Sequence, residues 1–192
     1  LFINIKTSHD WCDDFAQYIH QAKNILSGIS QNEAGYIFNE NYIIGPQTYP
    51  TGFPLLLSIV IHFFGDSIST LNIYMSFWLI ATCMIGYFIL RLHTSYLVAL
   101  FTTLVIAYNP MLLNFKTEIM SDLPFTFFSM LSIYLLHKKE TFSLSLLIGI
   151  LIGFAIHIRS IGLVLVIALC LTSVLRNGFS ILKNKQSLFI IS

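Results

Sequence analysis

From Phe53 onward the chain is a succession of apolar runs of about 15 to 25 residues set between short polar breaks, a pattern that turns length into helical spans rather than into a water-soluble core. Composition agrees: 56% of the 192 residues are hydrophobic and 10% are charged, the mean hydropathy is +0.77, and an ordinary soluble domain carries roughly 25% charged residues. The expected fold is therefore all-α, a polytopic transmembrane helical bundle forming a single membrane domain over 1–192. The chain starts at Leu1 without an initiator Met and ends on the apolar run Leu188 to Ile191, which reads as the N-terminal fragment of a larger protein.

The N-terminal stretch is different. Thr7 to Gly52 is polar, holds five of the nine acidic residues and carries Gly28, Gly35, Gly45, Pro46, Pro50 and Gly52, so 7–52 is expected to be a long loop. Within it, Asp10 to Leu26 sets Phe15, Ile19, Ala22 and Leu26 on one stripe with Asp14, Gln17 and Gln21 beside it, the spacing of an amphipathic helix lying at a membrane surface. Residues 53–192 then supply the re-entrant and transmembrane helices. Phe53 to Phe64 would reach about 18 Å, short of a hydrocarbon core of about 30 Å, and reads as re-entrant or interfacial. Ile68 to Leu92 is long enough to cross. Tyr96 to Leu113 is the return span, ended by Asn109-Pro110 because proline disfavours helical geometry in the residue before it. Pro124 to Leu136 follows, and Phe142 to Ile158 forms a hairpin with Ile161 to Leu175 through a tight turn at Arg159-Ser160.

Alternate breaks hold Arg91, then Lys138 and Lys139, then Arg176, Lys183 and Lys185, and the positive-inside rule makes these cytoplasmic. The opposite breaks hold Asp10, Asp13, Asp14, Glu33, Glu40, Asp66, Glu118 and Asp122. The first loop accordingly faces outward. A formal net charge of +1 provides no clustered basic face for nucleic acid. Cys12, Cys83 and Cys170 form neither a disulfide framework nor a CxxC site, and the six histidines lack zinc spacing. No GxGxxG, P-loop or GxSxG pattern occurs.

Three places can carry chemistry. Asp13-Asp14 opens the amphipathic helix, with Tyr18 and Ala22 following Asp14 at i+4 and i+8 on the same face; a carboxylate there can act as a general base or a metal ligand, or can merely cap the helix. Glu118 and Asp122 lie four apart on the same outward side, facing the first acidic loop, although Ser121 or Asp122 is also a proper helix start before Pro124. Arg159 stands on the outer side, where positive residues are disfavoured; its guanidinium can hold a phosphate bidentately, with Lys116 as an assisting point charge, or it can snorkel or pair with Asp122.

The segments Asp14-x-x-x-Tyr18-x-x-x-Ala22, Tyr49-Pro-Thr-Gly-Phe-Pro54 and Ser121-Asp122-Leu-Pro124 resemble the GT-C membrane glycosyltransferases of the dolichyl-phosphate-mannose protein mannosyltransferase type, including the aminoarabinose transferase-like branch. The resemblance runs from about Asp10 to Gly162. It implies transfer of a sugar from a polyprenyl-phosphate donor to an extracytoplasmic lipid, glycan or protein acceptor, at the outer face of what would be a bacterial inner membrane. It also implies that the first-loop Asp is the base. Asp14 is the match that keeps Tyr18 and Ala22 in register; the family usually places Glu after that Asp, and here Phe15 follows while Asp13 precedes. Ser121-Asp122 stands where the branch has Ser-Glu, so Asp122, with Glu118, would position the acceptor or a divalent metal ion; no cofactor is otherwise indicated. A single base without a second carboxylate nucleophile predicts inversion at the anomeric carbon. The competing readings are a transporter or flippase for a polar or lipid-linked solute, which would set charges inside spans near the midplane, and a non-catalytic membrane scaffold.

Overall fold

The computed structural model describes residues 14–31, 49–139 and 141–177, with side chains as far as 172. Asp13, the first turn expected from Asp10, most of the 7–52 loop and the basic residues Lys183 and Lys185 lie outside the described residues. All regular structure among the described residues is helical: α1 (Phe15–Leu26), α2 (Gly52–Phe64), α3 (Ile68–Arg91), α4 (Tyr96–Ala107), α5 (Pro110–Asn114), α6 (Asp122–Leu135), α7 (Phe142–Ile158) and α8 (Leu163–Asn177), with short 3-10 turns at Phe115–Thr117 and Ser160–Gly162.

Local chemistry explains most boundaries. The Ser67 hydroxyl accepts from the Thr70 amide and starts α3, and Thr141 does the same for Leu144 at the head of α7, each satisfying one of the amides a first turn leaves unpaired. Asn109-Pro110 ends α4 as expected, but it does more than stop a helix. Asn109 Oδ1 accepts from the Met111 and Leu112 amides with Pro110 in the first turn, so the pair stops α4 and at once starts α5, and the two directions differ by 59°.

Of these helices, α3 alone is long and apolar enough to cross a membrane by itself, and the bent α4–α5 pair qualifies if taken as one span. Only 28% of the most apolar stretch of α3 is buried inside the molecule, whereas the core helix of a soluble protein would be mostly covered. Phe63 and Phe64 at the end of α2 and Leu97 and Phe101 on α4 are 70–74% exposed. Apolar surface on that scale fits a face turned to lipid or to a partner helix. The remaining helices, α2 with 13 residues, α6 with 14 and α7 with 17, reach about 20–25 Å at 1.5 Å per residue.

Helix α1 packs on α2, α3 on both α4 and α6, and α6 on α7. Where these meet, Tyr18, Ala22, Phe53, Leu57, Leu71, Met75, Leu79, Ile119, Leu123 and Ile158 form one buried cluster, so α1 sits over the ends of the bundle helices and not apart from them. Its buried face keeps Ala22 of the predicted stripe in the core with Phe15 and Ile19 packed against it, and widens that stripe at the expense of Leu26. The residues turned inward are Tyr18, Gln21, Ala22 and Asn24, while Leu26 is 44% exposed. The wider face is stable because the buried polar atoms have partners: Tyr18 shares a hydrogen bond with Ser121, and Gln21 bonds the backbone of Tyr49.

A candidate glycosyl-transfer site at one end of the bundle

Four segments that are far apart in sequence meet at one end of the bundle: the start of α1, the turn before α2, the start of α6 and the end of α7. The Tyr18 hydroxyl and Ser121 Oγ lie 3.0 Å apart across 103 residues. The Tyr18 ring packs against Tyr49 at 4.7 Å and edge-on against Phe53 at 4.9 Å. Gly52 makes this approach possible: a Cβ there would fall 2.7 Å from the backbone carbonyl of His157, so only glycine lets the head of α2 touch the residues that lead into Arg159.

Between these segments lies an open cavity of about 440 Å³, lined by Asp14, Tyr18, Tyr49, Pro50, Ile158, Arg159, Ser160 and Ile161. Its volume falls in the range of about 300–1,000 Å³ usual for small-molecule sites. The lining sets a carboxylate, two phenols and a guanidinium around one space together with the apolar Pro50, Ile158 and Ile161.

The geometry decides the capping alternatives for two residues. Asp14 occupies the N-cap position of α1, yet its side chain makes no cap hydrogen bond; it lines the same cavity as Tyr49 instead, and its charge acts on the Tyr49 phenol. Ser121 at the N-cap of α6 likewise makes no side-chain cap bond, its hydroxyl being engaged by Tyr18. Burial, and then the neighbouring Asp14 carboxylate, push the Tyr49 phenol far above the ordinary tyrosine range. Burial also raises Tyr18, against the opposing pull of Ser121 and Arg159. Both phenols are therefore protonated throughout the physiological range.

Arg159 Nη1 donates to Asp122 Oδ1 in a short ion pair, with both side chains about one-third exposed. Of the readings open for Arg159, pairing with Asp122 is the one realised. The pairing leaves further N–H donors of the guanidinium, and Arg159 still lines the cavity. The structure thus brings Asp14, Asp122 and Arg159 together. It does not bring Lys116 or Glu118 to the cavity: Lys116 is 7% exposed in the 3-10 turn that packs on α3, and Glu118 follows that turn. Asp13 lies outside the described residues. Among the described residues no three His, Cys, Asp or Glu side chains converge as a metal site, and the Asp122 carboxylate is engaged by Arg159.

Gln21, Tyr49 and Gly52 belong to the site although their sequence context assigns them no role in it. Gly52 and Tyr49 lie inside the Tyr49 to Pro54 motif, which is the available signal; Gln21 has none, since a glutamine beside an apolar stripe reads as solvated.

Residues 48–191 match the family model described as dolichyl-phosphate-mannose-protein mannosyltransferase. No curated relative and no solved structure matches the chain. The matched stretch holds the turn before α2, Asp122 and Arg159, while Asp14 and Tyr18 precede it. It covers most of the chain and includes six of the eight residues that line the cavity, and on that ground the protein belongs to the dolichyl-phosphate-mannose-protein mannosyltransferase family of membrane-associated glycosyltransferases.

Proposed function

We propose that this protein moves a sugar from a polyprenyl-phosphate donor to a lipid, glycan or protein acceptor at the outer face of a bacterial inner membrane, with inversion at the anomeric carbon. The observation that carries this reading is the cavity in which Asp14 and Arg159 line the same polar space. In the proposed step, the acceptor hydroxyl or amine attacks the anomeric carbon and its proton passes to the Asp14 carboxylate. The bond from that carbon to the phosphate oxygen breaks, and the polyprenyl phosphate leaves with its charge held by Arg159. Asp14 then returns the proton to water. One displacement with one base inverts configuration.

Asp122 has a positioning role in this scheme. Its ion pair with Arg159 fixes the guanidinium plane at the cavity edge and leaves other N–H groups for phosphate oxygens.

The polytopic arrangement is part of the same proposal. Asp14, Asp122 and Arg159 come from breaks that the charge pattern assigns to the outer side. The breaks assigned to the cytoplasm meet at the other end, where the His93 and His137 rings are 5.9 Å apart. Helices that alternate in this way are supported as successive crossings, with the short ones in a locally thinned bilayer. The polar sugar would sit in the cavity and the prenyl chain along the exposed apolar flanks of the helices.

The test compares wild type with Asp14→Asn in membranes supplied with a mixed pool of radiolabelled polyprenyl-phosphate sugars, following label out of the donor lipid. Loss of a general base lowers the rate by about 10²–10⁴-fold, so transfer should fall at least a hundredfold at unchanged protein level. Equal transfer by the variant would remove Asp14 from the mechanism.

A further inference from the structure

Tyr49 has no part in the transfer as drawn above, yet it is held more tightly than a loop residue requires. Its backbone carbonyl accepts from Gln21 Nε2 at 3.0 Å, and its amide donates to Gln21 Oε1 at 3.0 Å. Gln21 is fully buried, and its Nε2 is also bonded to Gln31 Oε1 at 2.7 Å. A glutamine amide that bonds both polar atoms of one residue fixes that residue's backbone as a β-ladder partner would. The Tyr49 ring is then set by Tyr18 at 4.7 Å. So held, Tyr49 lines the cavity together with Asp14, and the Asp14 charge acts on its phenol.

We propose that Tyr49 is the positioning residue of the Asp14 base, held in place by the Gln21 amide, so that Gln21, Tyr49 and Asp14 act as one relay of fixed geometry. This rests on the reading of Asp14 as base. The arrangement answers a mechanical need: Asp14 stands at the exposed head of a helix without a cap bond, and a carboxylate in that position would otherwise sample several rotamers. A phenol donor on one oxygen stops that motion and directs the second oxygen to the acceptor. The groups facing this pair are Tyr18 on α1, Arg159 at the end of α7 and Asp122 of α6 paired with it. Tyr49 stays a donor because burial and the adjacent carboxylate both keep its proton in place.

The experiment uses the full chain in membranes with whichever donor of the polyprenyl-phosphate pool supports transfer. Tyr49→Phe removes only the hydroxyl. A hydrogen bond to a charged group is worth about tenfold or more in rate, so kcat should drop about tenfold while donor KM stays within about twofold. Gln21→Met, close in size and without the amide, should lower kcat in the same sense. The double variant should fall no further than Tyr49→Phe alone, because both act through one phenol. Wild-type kcat in Tyr49→Phe, a change in KM alone, or multiplying losses would overturn the proposal.

A second readout is independent of activity. In tyrosinate absorbance, Asp14→Asn should bring one phenol down toward the ordinary tyrosine range, and the change should vanish in a Tyr49→Phe background. Its persistence there would place the Asp14 contact on another residue and overturn the proposal. If Asp14→Asn keeps full transfer while the absorbance change is seen, the base reading fails and the Tyr49 contact survives it as structure only.

Discussion

The two ends of the helical bundle use their polar side chains in opposite ways. At the cavity end the bonds that join the lining segments are long-range: Tyr18 to Ser121, Gln21 to Tyr49, Arg159 to Asp122. At the other end they are local. Arg91 Nη1 donates to the carbonyl of Thr94, His137 bonds the carbonyl of Ile133, and Lys138 lies 4.5 Å over the Tyr134 ring. The His93–His137 ring contact links two elements there. Charges that bond within their own helix end serve that end alone, and they can be exchanged with little effect elsewhere. Charges that bond across elements fix the relative positions of those elements, which is what a site assembled from four segments demands.

Matched substitutions at the two ends sharpen that contrast. The largest expected effect is on transfer: Arg159→Ala removes the cavity's guanidinium and leaves the Asp122 carboxylate without its ion-pair partner, and about a hundredfold loss is expected. Arg91→Ala at the opposite end should change transfer by less than about twofold. Comparable losses from the two would erase the distinction between the ends.

Next in size is an effect on stability. Gly52→Ala forces a methyl against the His157 backbone at 2.7 Å, and overpacking of this kind costs about 1–3 kcal/mol; thermal unfolding in detergent should show it. Gly149→Ala, on α7 where an added Cβ would meet nothing within 4 Å, should show no loss. A tolerated Gly52→Ala would mean that α2 and α7 do not meet as closely as described.

The smallest effect is a pH dependence. The raised Tyr49 and Tyr18 phenols remain protonated in the folded protein at pH values where unfolded tyrosine, near 10, ionises. Their contribution to stability is therefore complete below about pH 10 and is lost as pH rises toward the folded values. Thermal midpoints followed from about pH 8 to 11 should fall, and Tyr49→Phe should fall less steeply than wild type. Parallel slopes would show that the Tyr49 phenol is not shielded.

Much of the helical layout is legible from periodicity and breakers. The expected Phe53–Phe64, Ile68–Leu92 and Phe142–Ile158 segments lie within one residue of α2, α3 and α7, because each is a long apolar run closed by Gly, a charged residue or a polar turn. Asn109-Pro110 reads as the end of the return span, but the same pair that breaks one helix caps the next, and a proline signal alone does not distinguish a stop from a bend. Periodicity finds Phe15, Ile19 and Ala22 on the core side of α1 but misses Gln21 and Asn24 and includes Leu26, for a related reason. Hydrophobic spacing ranks Leu26 above Gln21 and Asn24, and it has no knowledge of partners elsewhere in the chain that make a buried glutamine stable.

For the site, sequence alone determined which residue types were available: a carboxylate at the head of an amphipathic helix, a Ser-Asp pair before a proline, and a lone arginine on the acidic side of the charge pattern. Those follow from local spacing and from the cost of charge in lipid, both of which are readable in one dimension. Only the tertiary structure decided that Arg159 pairs with Asp122, that Lys116 turns into the protein, and that Asp14 lines a cavity with Tyr49 instead of capping its helix. The Arg159–Asp122 pair joins residues 37 apart in the chain, and like the other two choices it is set by how the helices pack rather than by any segment's own preference.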